Sequence, residues 1–114
     1  ISVKSIMRSQ TIKMKLLIIT AVAAFEKDIK KMLQQAEVSS FSYRDVKGFK
    51  DISEDGIEKN WFGSEVNETN SFLFYAFVKN ENVDVVFDLV SSFNEKQETL
   101  SKIHLAVVNI EKSN

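Results

Sequence analysis

The sequence predicts an α+β domain with the element order βαββαβ, in which four strands form one antiparallel sheet and two helices lie on one face. Three observations predict it. A continuous apolar run, KLLIITAVA at 15–23, leads into a helical period; two aromatic-bearing stretches, SFSYRDV at 40–46 and SFLFYAFV at 71–78, have strand character; and a second helical period leads into KIHLAVVNI at 102–110. The 114 residues, 44% of them hydrophobic, suffice for one core and are too few for two ordinary domains.

The first strand is rich in branched residues at consecutive positions, the signature of a central strand with apolar neighbours on both faces. In the helix that follows, Phe25, Ile29, Met32, Leu33 and Ala36 recur at helical spacing, while Glu26, Lys27, Asp28, Lys30 and Lys31 occupy the other face. The second strand sets Phe41 and Tyr43 between polar residues, and the third is aromatic almost throughout. Asn80 or Asn82 is placed to cap the second helix, whose buried side reads Val83, Val86, Phe87, Val90 and Phe93. The fourth strand closes the chain.

Two strand-helix-strand halves in tandem interleave into a ferredoxin-like sheet with both helices on one side. The other face is then left bare. Because the first and third strands are apolar on both faces, the bare face is expected to seek a partner and to make the protein an oligomer that packs its sheets together.

Composition excludes several classes. A net charge of -1 and a pI near 5.9 give no basic surface for a nucleic acid. There is no cysteine, so neither a disulfide framework nor a thiolate metal site is available, and a cytoplasmic location is expected. The apolar run 16–25 is half of the roughly 20 residues of a membrane helix, so no membrane insertion is expected. Residues 1–13 carry three basic side chains, no acidic ones and no period; they are read as a tail outside the domain, with the native chain starting at Met14 and the domain covering 14–114. Although the tail and the apolar run after it resemble a signal peptide, no small-residue cleavage site follows before the charged FEKDIKK.

Between the second and third strands, residues 50–70 have no apolar period, hold six acidic residues against two lysines, and place Trp61 and Phe62 side by side with Gly56 and Gly63 near them. At the end of the second strand the chain enters the segment through RDVKGFK at 44–50, which resembles the EVKGFG signature of the PII nitrogen-regulatory signalling family. The resemblance covers Met14 to about Lys112 and rests on the VKGF motif, the element order and the loop length together. It implies a cylindrical homotrimer that encloses its sheets, binds an adenine nucleotide (AMP, ADP or ATP) in clefts between subunits, and docks on a transporter or enzyme through a protruding T-loop, here 50–70. The implied ligand-binding residues are Ser42, Lys47, Gly48, Phe49, Lys50 and Lys102, and Trp61 and Phe62 are the partner-binding hook.

The chain departs from the family where the glycine-rich B-loop is expected. It has NEKQETLSK at 94–102, without glycine, and Glu95 and Glu98 there repel a triphosphate, so nucleotide binding is expected to be weak and weakest for ATP. An ungapped alignment puts Lys59 at the family's modified tyrosine, so uridylylation is not expected.

Plainer readings stand beside these. Gly48 also serves a strand bending into a loop, and Lys47, Lys50 and Lys102 also serve as solvated lysines. His104, the only histidine, is too little for a zinc site within one chain, although three copies around an axis could make one. The sequon Asn67-Glu68-Thr69 is accidental in a cytoplasmic chain. No nucleophile, acid or base stands at a catalytic spacing, so no enzyme is expected. The alternative reading is a CutA-like or efflux-associated metal-tolerance trimer, which shares the same plan.

Overall fold

The structure, a computed structural model, describes residues 13–49 and 68–114. The chain runs β1 (Met14–Val22), a 3-10 turn (Ala23–Phe25), α1 (Glu26–Gln35), β2 (Ser42–Phe49), β3 (Glu68–Lys79), α2 (Asn80–Lys96) and β4 (His104–Asn109). All four strands form one sheet in the order β2-β3-β1-β4, and every pairing is antiparallel. The fold is α+β and ferredoxin-like.

β1 is central because both of its faces are apolar. Leu17, Ile19 and Ala21 alternate onto the helix-covered face and are buried. There they meet Phe74, Ala76 and Val78 of β3, together with Ile29, Met32 and Leu33 of α1 and Val83, Val86 and Val90 of α2. Phe74, Leu17, Ile19, Ile29, Leu33 and Val86 have essentially no exposure, and burying each such side chain stabilises the fold by about 1.5–3 kcal/mol. Edge-to-face packing of Phe25 on Phe93, with centroids 4.9 Å apart, ties the start of α1 to the end of α2.

The opposite face carries Leu16 and Ile18 of β1, Leu73, Tyr75 and Phe77 of β3, and Ala106 and Val108 of β4, in rows set by the register Leu16↔Phe77, Leu16↔Val108, Ile18↔Tyr75 and Ile18↔Ala106. No described helix or strand covers this face. Phe77 is 58% exposed and Tyr75 44%, unusual values for residues in two adjacent rows of one sheet.

Several element ends differ from the sequence reading. β2 continues past Val46 to Phe49, and β3 begins at Glu68, because Lys47↔Asn70, Gly48↔Thr69 and Phe49↔Glu68 pair across the strands. Residues 68–70, expected in the loop, are therefore sheet. Neither Asn80 nor Asn82 caps α2: the N-cap is Lys79, with no side-chain cap, and the Asn80 N–H donates instead to the Lys13 carbonyl at 2.8 Å. α1 ends in a Schellman motif, with the Val38 N–H on the Leu33 carbonyl at 2.9 Å, the Glu37 N–H on the Gln34 carbonyl at 3.0 Å, and Glu37 at φ 64° where glycine is usual. Val38 and Leu33, both buried, supply the apolar contact of that motif.

Candidate effector site

The chemistry-bearing residues gather at the end of the sheet where β1 and β2 finish and β3 and β4 begin. Alternation along β2 places Lys47 on the same side as Tyr43, whose partner Phe74 is in the core, and places Ser42 and Gly48 on the open side. Lys47 lines a cleft of about 510 Å³ with Asp45, Val46, Asn70, Ser71, Phe72 and Ala23. Among the described residues its lining combines the apolar Ala23, Val46 and Phe72 with one ammonium, one carboxylate, an amide and a hydroxyl, which suits a small polar ligand.

Gly48 has a packing reason to be glycine. A Cβ there meets the Thr69 hydroxyl at 3.1 Å and the Ser71 hydroxyl at 3.2 Å, tighter than ordinary contacts. These two hydroxyls lie 3.4 Å apart, and either can donate to the other. The glycine thus lets β2 close against β3 over a polar pair.

The other sequence candidates are distributed differently. Ser42 pairs with Tyr75, five residues back along β2 from Lys47, or about 17 Å at the rise of a strand. Phe49 follows Gly48 and is 68% exposed. Lys102 precedes β4, at the same end of the sheet but on the far edge, three strand spacings or about 14 Å from β2. Its Nζ donates to the Asn94 carbonyl at 3.1 Å, at the carbonyl end of α2. Lys47 therefore lines the cleft, Gly48 faces the open side next to it, and Ser42 and Lys102 are held away from it within one chain. Lys50, Trp61 and Phe62 lie outside the described residues. His104 is exposed on the open face opposite Thr20, and among the described residues no group of three or more His, Cys, Asp and Glu side chains could hold a metal ion.

Sequence reasoning missed Asn70 and Ser71, which only the β2–β3 register brings beside Lys47, and Asp45, which strand alternation sets on the same face of β2. It also missed Asn94, whose Oδ1 accepts from the Ile103 N–H and whose Nδ2 donates to the Ile103 carbonyl. Asparagine near the end of a helix, nine residues before a buried apolar position, was the available signal.

No family model matches the chain, and no curated protein does. Solved structures do. CPII, a nitrogen regulatory PII-like protein from Thiomonas intermedia bound to ADP, AMP and bicarbonate, superposes with a TM-score of 0.58 over 89% of this chain and 96% of its own, at 14% identity. A DUF3240 family protein from Shewanella baltica gives a TM-score of 0.61 over 90% of this chain and 94% of its own, at 14% identity. Arabidopsis thaliana PII bound to citrate gives 0.61 over 86% of this chain and 78% of its own, at 13% identity. The fold is that of PII-like proteins. Identity this low carries the likeness of fold alone, so the PII-like character of this chain rests on the path of its backbone. Among the described residues no helix is long and apolar enough to cross a membrane.

Proposed function

We propose that this chain is a non-catalytic PII-like signal-transduction protein of the cytoplasm. It assembles as a homotrimer, senses a small effector at the clefts between subunits, and docks on a target such as a transporter or enzyme through the segment 50–70. The observation that carries the reading is the placement of Lys47 with Gly48 at one edge and Lys102 at the opposite edge of the same sheet end. One chain cannot bring these edges together; neighbouring subunits that pack their bare sheet faces inward can. An adenine nucleotide fits the reading because CPII, of the same fold, is bound to ADP and AMP.

Calorimetry with AMP, ADP and ATP tests the effector. Weak binding that Lys47→Ala abolishes supports the site at this end, whereas binding unchanged in Lys47→Ala places the effector elsewhere. Docking is tested through Trp61, which lies in the segment beyond Phe49. Trp61→Ala is expected to leave the assembly mass unchanged and to weaken capture of the target by about 2 kcal/mol. Equal capture by the variant removes Trp61 as the anchor.

A further inference from the structure

The connection from α2 to β4 is closed by its own side chains. Gln97 Oε1 accepts from the Thr99 N–H at 2.8 Å and from the Thr99 hydroxyl at 2.5 Å. Its Nε2 donates to the Thr99 carbonyl at 3.0 Å and to the Ser101 carbonyl. The Ser101 N–H donates to Thr99 Oγ1 at 3.2 Å, and the Ile103 N–H to Asn94 Oδ1 at 2.9 Å. Three alternate amides of this turn are thus occupied by side-chain oxygens, and the Lys102 ammonium is turned onto the Asn94 carbonyl. What the turn presents outward is Leu100, 98% exposed, flanked by the exposed carboxylates of Glu95 and Glu98.

A loop takes up a polyphosphate by aiming several unpaired N–H groups at its oxygens. Here the amides of Thr99, Ser101 and Ile103 are already bonded to side chains, and the carboxylates of Glu95 and Glu98 in the same stretch repel an anion. We infer that Gln97, supported by Asn94, is a specificity-determining residue that locks this turn shut and restricts the effector to a ligand with a single anionic group, excluding polyphosphates. The inference rests on the effector site proposed at this end of the sheet. Among the described residues Lys47 is the one ammonium lining the cleft and can meet one anionic group, while on the β4 side the Lys102 ammonium is engaged by the Asn94 carbonyl.

The test compares AMP, ATP and inorganic tripolyphosphate by calorimetry, on the full chain and on its Gln97→Gly/Thr99→Gly variant. The unaltered chain is expected to bind ATP no more tightly than AMP and to give no tripolyphosphate heat. The variant, with the amides of residues 99 and 101 released, should gain about tenfold or more for tripolyphosphate and ATP while AMP changes by less than about threefold. ATP bound about tenfold tighter than AMP by the unaltered chain, or a folded variant that gains nothing for tripolyphosphate, overturns the inference. Amide hydrogen exchange reads the same lock without substitution: Thr99, Ser101 and Ile103 should be protected, and exchange at the open-chain rate would overturn it. Absence of AMP binding counts against the effector reading alone, because the tripolyphosphate arm and the exchange measurement need no adenine recognition.

Discussion

Asn94 and Ile103 exchange two hydrogen bonds, Nδ2 donating to the Ile103 carbonyl at 3.0 Å and the Ile103 N–H donating to Oδ1 at 2.9 Å, so a side chain on α2 completes the backbone pairing just before β4. Ile103 is only 3% exposed, which leaves water little access to either group. Asn94→Ala should lower stability by about 2 kcal/mol, measured as a shift of the urea midpoint, because it strands a buried donor and acceptor together. Asn94→Asp keeps the acceptor but sets a carboxylate oxygen against the Ile103 carbonyl at the carbonyl end of α2, so at neutral pH it should recover little of the loss. Equal stability of all three chains would mean that the clamp contributes nothing.

Glu37 holds a left-handed conformation at the end of α1, where its φ of 64° crowds Cβ against the backbone. Glu37→Gly relieves about 1–2 kcal/mol of this strain and adds about 0.5–1 kcal/mol of unfolded-chain entropy, so a net gain of about 0.5 kcal/mol is expected from thermal unfolding. Glu37→Val, β-branched at the same φ, should be destabilised.

Lys30 bridges α1 and β2, with its Nζ 2.7 Å from Glu26 Oε2, 2.9 Å from the Tyr43 hydroxyl and 4.2 Å from the Tyr43 ring centroid. The hydrogen bond to Glu26, and next that to Tyr43, raise the Lys30 pKa above 10.5. A raised lysine pKa means that the folded state binds the proton more tightly than the unfolded state. Its contribution is therefore complete below pH 10.5 and is lost as pH rises through the folded value. The stability difference between the native chain and Lys30→Met should be flat from neutral pH to about pH 9 and shrink above about pH 10.5. A difference that grows in that alkaline window would reverse the assigned sign.

Phe77 sits in the row Phe77–Leu16–Val108 on the bare face, 58% exposed. Light scattering should give about three times the 13.0 kDa chain mass. Phe77→Lys, or Ile18→Lys in the neighbouring row, should dissociate the assembly, since an unpaired charge in a closed apolar interface costs several kcal/mol. A native chain that is monomeric at micromolar concentration would remove the intersubunit cleft and the proposed effector site with it.

Element order and the bare apolar face were determined by the sequence alone, because both are carried by local periods: Leu16 through Val22 is apolar at both parities, and the helix faces repeat within three or four residues. What the tertiary structure decided is everything that depends on a partner distant in the chain. Lys47, Gly48 and Phe49 read as the passage from the second strand into the loop and Glu68, Thr69 and Asn70 as loop, and all six are strand because they pair with one another from about twenty residues away. Gly48 looked like a hinge, and in the sheet it also leaves room for the hydroxyls of Thr69 and Ser71. Asn80, a good cap in sequence, has its N–H taken by Lys13, and Asn94, unremarked in sequence, is fixed by Ile103. A hydrogen bond between distant residues leaves no period in the chain, whereas burial of a strand or helix face does.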